Sequence, residues 1–555
     1  MSVSNEDKPS RGHHLGTLRL RHELTHDVLL IPTPSSDPRD PLNWPQWYKF
    51  YVAGLSAWAI FLSTFCSAGP AVTLTNMTIT FFGPPVDASF FNHIAKAAYF
   101  FTVAALLMGV SNIVWVPLMV KFGRRPVYVF AYTFYCGTNI WCAEAQTYSS
   151  MLAACAFLGC AAGAGEVLGP LTIADLFFVH ERGTMMVIYT CTLAAGTSLG
   201  SLVSGVITIN HSWRYIYWVT TALTGATALL MFFTLPETTY KRAPLPASAL
   251  HEGNVVHSAA EAAIEAVLDD KEAHIDKVEN TITPIATTST ARFVAPHPTI
   301  WEIVTTPPWV SYTSESMLIL ALRPLVLILL PSALWASLVM AVSIGFLVAM
   351  SSNVATAFTT TYGFSTWQIG VSMISGTIGA AIAIFFGGRL SDMVADRFTR
   401  RNGGLREPEM RLPAMAISLI SGPLSLILYG VGVGHNLHWI CPVIAFGLIN
   451  FTIVQAANIA IVYMIDCYRP IAGEVTTTQY TFKSLFGFLL SFYTNTWISK
   501  SGYTAAFGEM AAISGAVFLS TAIFFFYGKA LRVNSWNWPV MKIFLHWKGD
   551  REVGE

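Results

Sequence analysis

The chain has 555 residues, of which 53% are apolar and 12% charged, with 32 basic and 32 acidic side chains and a mean hydropathy of +0.52. That balance lies outside ordinary soluble composition and predicts a polytopic membrane protein. The zero net charge argues against a nucleic-acid partner, which a basic face or stripe would favour.

Residues 1–46 are polar and carry no signal-peptide cleavage pattern before the first apolar run. A membrane-crossing helix needs about 20 mostly apolar residues. Six such runs precede Pro236, at 48–71, 97–120, 127–146, 151–178, 185–208 and 215–235. Six more lie at 325–350, 367–388, 412–432, 437–464, 473–498 and 503–527. Between the sets, Glu237 to Arg323 is polar; within it SAAEAAIEAVLDD spaces Ile264, Val267 and Leu268 along one face of an amphipathic helix. The expected organisation is a tail (1–46), a six-helix bundle (47–235), a linker (236–324), a second six-helix bundle (325–527) and a second tail (528–555). The fold class expected is all-α integral membrane, twelve spans in two pseudo-symmetric halves.

Lys and Arg cluster in KFGRR (121–125), ETTYKR (237–242) and GRLSDMVADRFTRRNGGLREPEMR (388–411), each after an even-numbered span, whereas AQTYSS, TTYGFSTW and GVGHNLHW carry none. Positive loops stay cytoplasmic, so both termini are expected inside. Asn76-Met-Thr and Asn210-His-Ser are sequons on the outer side, close to the membrane. The eight cysteines lie within or beside apolar runs without metal-site or disulfide spacing and read as buried thiols. No GxxxxGK[ST] loop occurs, so ATP-driven pumping has no site, and no cofactor is expected. Two similar halves around a midplane site suit a secondary transporter.

The loops then carry a resemblance. VPLMVKFGRR holds Gly123, Arg124 and Arg125 of a G-x-L-x-D-R-x-G-R-R pattern, with Val116 and Val120 in place of its first glycine and its aspartate; GGRLSD in the second half supplies Gly388, Leu390 and Asp392. On these the chain resembles the major facilitator superfamily, across about nine-tenths of its length. DPRDPLNWP (37–45), IADLFFVHERG (173–183), PETTYKR (236–242), RRNGGLREPEMRL (400–412) and DCYRPIAGE (466–474) look like its fungal twelve-span drug:proton antiporter branch, which includes secondary-metabolite exporters and a yeast transporter of polyamines and other organic cations. GTSLGSLVSG (196–205) departs from that branch, with Thr197 and Ser201 where its fifth span has prolines.

Glu166 lies deep in the fourth span, roughly 22 Å from its outer start at 1.5 Å per residue, and Asp175 lies about 13 Å further on, near the inner surface. Gly159, Gly163, Glu166 and Pro170 share one small-residue stripe. Charges in a bilayer core face a bundle interior or a watery cavity, so Glu166 either binds a proton or cation or is a structural residue paired with a lysine. Lys483, at comparable depth in the eleventh span, is expected on the same cavity. Asn450, Gln455 and Asn458 form a polar face on the tenth span, serving substrate or interhelical bonding. Trp335, Tyr362, Trp367 and Tyr463 suit either ligand stacking or an interfacial belt.

The resemblance implies an inner gate. Asp392 would sit at the start of span five near Arg182 and Gly183, an anion at a helix N-terminus, and Arg124 or Arg125 would meet Asp466 or Glu474 at span eleven. The alternative for the arginines is a topology signal alone. The function expected is a proton-coupled plasma-membrane transporter, acting as a monomer in the lipid bilayer and exporting small organic molecules. Organic-cation uptake, a nutrient sensor signalling through the linker, and an enzyme are the rival classes; the last lacks HExxH, paired metal ligands and a nucleophile elbow.

Overall fold

Apolar runs long enough to cross a bilayer become helices in the computed structural model, which describes residues 18–19, 35–84 except 36 and 38, 90–240, 297–305 and 310–544. The amphipathic segment expected at 258–270 lies outside the described residues. The first half contains Gln46–Ala68, Phe90–Val110 continued by Asn112–Phe122, Arg124–Glu144, Tyr148–Leu176, Val179–Asn210 and Arg214–Thr234. The second contains Pro331–Tyr362, the run from Thr366 to Arg401, Ala416–Gly434, Ile440–Cys467 and the long stretch Ala472–Trp536. Ten stretches among the described residues are long and apolar enough to span. Ala472–Trp536 is two spans, broken at Gly502 (φ 77°, ψ 165°). Arg124–Glu144 is the remaining span, more polar because Tyr128, Tyr132 and Tyr135 lie on one face. Their hydroxyls bond Ser56, Ala59 and Ser63 of the first span at 3.0, 2.5 and 3.1 Å, so each buried hydroxyl is satisfied.

Span seven differs from expectation at both ends. It starts at Pro331 rather than 325, after a separate helix Met317–Leu327, and runs to Tyr362 rather than 350. Ser351, Ser352 and Asn353 read as an end, yet Ser352 bonds the Ala349 carbonyl at 2.9 Å and Asn353 bonds Asn495 at 3.1 Å. The helix stops at Gly363 (φ 66°), in the left-handed conformation glycine tolerates. Span eight continues past 388 as Ser391–Arg401, after a π turn at Phe385–Leu390.

One face of the molecule gathers the basic loops. There Glu237 accepts from the Arg124 and Arg125 amides, Asp392 pairs with Arg411, and Arg532 pairs with Glu409. On the opposite face Arg214 bonds the Ala145 carbonyl and Trp213 bonds Thr80. Asn76 sits on that face, half-buried on the short helix Leu74–Phe82. A two-residue antiparallel ladder joins Leu18–Arg19 to Leu405–Arg406 on the basic face.

The halves meet along two seams. In the first, spans five and eight touch from Gly205 against Thr366 and Gly370, through Gly376 against Ser198, to Gly388 against Val187. In the second, spans two and eleven touch from the stacked rings of Tyr99 and Phe492, 5.9 Å apart, through Gly109 against Ser484, to Val116 beside Gly473. Both seams are packed from one face to the other.

Candidate functional site

Glycines place the central site. A Cβ at Gly159 would strike the Ala104 carbonyl, and one at Gly163 would strike the Met108 carbonyl and the Ser111 hydroxyl, so span two lies directly on span four. Gly109 in turn admits Ser484 and the Tyr480 carbonyl of span eleven, and Thr481 donates to the Gly109 carbonyl at 3.1 Å. Three helices from two halves therefore converge on one depth.

At that depth Lys483 Nζ lies 2.5 Å from Glu166 Oε1, with side chains only 5% and 3% exposed. The two deep charges expected to share a cavity are thus directly paired across the interface between halves. Lys483 Nζ also sits 4.7 Å above the Tyr480 ring, a cation–π placement. Tyr189 of span five donates to the Glu166 carbonyl at 2.7 Å. Asn112 of span two is fully buried beside the Glu166 carboxyl. Among the described residues, Glu166 Oε2, both Asn112 amide atoms and the Tyr480 hydroxyl complete no hydrogen bond. Buried polar groups ordinarily have partners, so this cluster retains capacity for a proton, water or a polar ligand. Tyr189, Tyr480 and Asn112 were not singled out from the sequence; the available signals were Asn112 within an otherwise apolar run and Tyr480 three residues, one helical turn, before Lys483.

The polar face of span ten is turned to other helices. Gln455 accepts from Ser418 at 3.2 Å and donates to the Ala414 carbonyl at 3.0 Å, and Asn458 donates to the Gly387 carbonyl at 2.9 Å. Asn450 donates to its own helix at Phe446 and flanks Gly376 beside Ser198, on the seam between halves. Trp335 and Tyr463 meet edge to face, ring centroids 5.5 Å apart. Tyr463 lies one turn before Cys467, which Arg532 contacts, towards the basic face. No hydrogen bond or ion pair among the described residues joins these five to Glu166 or Lys483. Tyr362 donates to the Gly432 carbonyl at 3.0 Å, and Trp367 is exposed.

At the basic face, Asp392 lies over the start of span five: a Cβ on Gly183 would stand 2.7 and 2.9 Å from its carboxylate oxygens. Arg411 holds that carboxylate at 2.8 Å, with Arg406 4.0 Å away. Burial and then Arg411 lower the Arg406 pKa, opposed by Asp466, Asp392 and Asp396. Arg182 donates to the Ala174 carbonyl at 2.9 Å. The expected meeting of Arg124 or Arg125 with Asp466 or Glu474 is not formed. Arg124 pairs with Asp175 at 3.2 Å, and Arg125 donates to the Phe232 carbonyl. Glu237, missed in the sequence, caps span three through both arginine amides at 2.8 and 3.1 Å. Gly123 (φ 93°) makes that turn, and Tyr312 packs on it, its phenol pushed up to about 12 by burial and then by Glu237. Glu474 instead pairs with Arg323 at 3.0 Å, which also holds Glu315 at 3.2 Å. The physical reason lies in the partners already at hand: Asp175 occupies Arg124, and Arg323 occupies Glu474.

A family model for the Major Facilitator Superfamily matches residues 57–491. An uncharacterised MFS-type transporter of Schizosaccharomyces pombe is 26% identical, over 91% of this chain and 88% of its own length. Protein HOL1 of Saccharomyces cerevisiae is 23% identical over 93% and 92%, and MFS transporter cpaT of Aspergillus oryzae 24% over 90% and 91%. Among solved structures, the proton:xylose symporter XylE aligns with a TM-score of 0.58 at 14% identity, covering 89% of this chain and 99% of that one.

Proposed function

Because the chain belongs to the Major Facilitator Superfamily, and is therefore a multi-pass membrane transporter of small molecules and not an enzyme, we propose that it couples transport to protons through Glu166 and Lys483. The observation that carries this is the buried ion pair between spans four and eleven. Removing one partner of a buried pair costs about 3–5 kcal/mol, because the other is left uncompensated. Parting the halves with both groups charged carries a similar cost. A proton on Glu166, or a ligand ammonium taking the place of Lys483 on the carboxylate, ends the attraction that joins the halves at this point, and the freed Lys483 ammonium is compensated by the water admitted as they part. Alternating access then proceeds by rocking one half against the other.

Proton-driven export of small organic molecules, such as drug-like compounds or fungal secondary metabolites, is the first reading, as part of the drug:proton antiporter-like branch. The quoted loop strings support it; Thr197 and Ser201, in place of prolines, weigh against antiport. Organic-cation uptake is the second, favoured by the carboxylate and the Tyr480 ring facing one ammonium. The basic face is proposed as cytoplasmic, the membrane as the plasma membrane and the monomer as the working unit. The Asp392 contact with span five is proposed as the inner gate, closed in this structure.

The test uses sealed inside-out vesicles with the wild type or Glu166→Gln, an acidified lumen, and a panel of polyamines, cationic dyes and fungal metabolites. Trapped compound that disappears with a protonophore and in the variant is the expected result. Equal accumulation by both proteins assigns Glu166 a structural role; accumulation by neither, with uptake under the reversed gradient, selects the second reading.

A further inference from the structure

The end of span eight carries arginines that the central site and the gate do not use. Above them, Trp367, Val371, Ile374, Ile378, Ile382 and Phe385 are each between 42% and 56% exposed, and in a membrane-spanning chain they face lipid. The same three- and four-residue steps continue to Arg389, Met393, Arg397 and Arg400, all exposed, with Arg401 alongside. Such steps keep side chains on one helix face. An apolar row therefore runs directly into a basic one where the helix leaves the hydrocarbon.

The acidic residues of this segment have arginine partners outside the stripe, Asp396 staying half exposed at its edge. Asp392 is held by Arg411 at 2.8 Å and Asp396 by Arg406 at 3.4 Å. Among the described residues Arg389, Arg397, Arg400 and Arg401 make no ion pair. The stripe thus presents uncompensated guanidinium groups, interrupted only by the apolar Met393.

We propose that this stripe binds the headgroup phosphates of anionic phospholipids, whose acyl chains lie along the apolar row above. Guanidinium forks match phosphate oxygens in bidentate geometry. Each basic side chain near an anionic leaflet contributes on the order of fivefold in affinity. The orientation proposed above determines only which leaflet supplies the lipid. Binding in detergent does not depend on it, so failure here and failure of that orientation are separable.

The experiment is native mass spectrometry of the purified full chain with an equimolar mixture of phosphatidylserine, phosphatidylinositol and phosphatidylcholine of matched acyl chains. The wild type is expected to carry anionic lipid at least tenfold over phosphatidylcholine. Arg389→Gln/Arg397→Gln/Arg400→Gln/Arg401→Gln should lose that preference, lysine at the same four positions should keep most of it, and Arg400→Gln/Arg401→Gln, at the helix end where folding is least affected, should lose several-fold. A tenfold excess of glycerophosphoinositol, a headgroup without chains, should displace little. Unchanged anionic adducts in either glutamine variant, or no anionic preference in the wild type, would overturn the proposal and leave the stripe a solvated topology signal. Full displacement by the free headgroup would overturn it in favour of a soluble-phosphate site.

Discussion

Glu166 and Lys483 occupy an apolar interior because each compensates the other. Lys483→Met should therefore lower the melting temperature more than Glu166→Gln/Lys483→Met, which removes both charges; a thermal-unfolding series checks the order, and a double variant no more stable than the single would show that the pair is not the relevant partner. The two charges were legible in the sequence because a charge in a long apolar run is locally anomalous. Asn112 and Tyr480 were not, because an Asn or Tyr in a span is ordinary until the facing helix is known. Gln455 and Asn458 illustrate the same limit: their polar face was visible, but Ser418 and Gly387, which receive it, lie on other spans.

Individual helices owe their positions to residues that leave room. Leucine at Gly163 would meet the Met108 carbonyl and the Ser111 hydroxyl and push span two away from Glu166. Gly163→Leu should abolish transport at least a hundredfold even where the protein still reaches the membrane, as flux per surface-labelled molecule would show; near-normal flux would mean the contact is dispensable. Asp392→Asn weakens the charge that Arg411 and the start of span five share. It should raise thiol-probe labelling of Cys191, which packs near Val187 on the seam, by several-fold, whereas unchanged labelling would remove the gate role. Span positions were legible from hydropathy, a local quantity. The ends of span seven were not, since Ser352 and Asn353 are compatible with a helix once their hydrogen bonds are made. Arg124 and Arg125 were legible as a basic loop, but their partner Glu237 lies four spans later in the chain.

For the molecule as a whole, both seams are packed from face to face, so transport by rocking requires parting both at one face while they stay joined at the other. Residues 245–295 lie within the linker, outside the described residues. Deleting them should leave most flux intact if the chain is a transporter, and a chain that kept ligand binding but lost a cellular response would fit the sensor class instead. The most direct test of the central claim is a double-mutant cycle: compound accumulation driven by an imposed pH gradient, compared in the wild type, Glu166→Gln, Lys483→Met and the double variant, each normalised to protein in the vesicle. If the pair acts as one unit, each single substitution abolishes gradient-driven accumulation and the double is no worse than either. Losses that simply multiply, or a gradient dependence that survives in the double variant, would contradict the account.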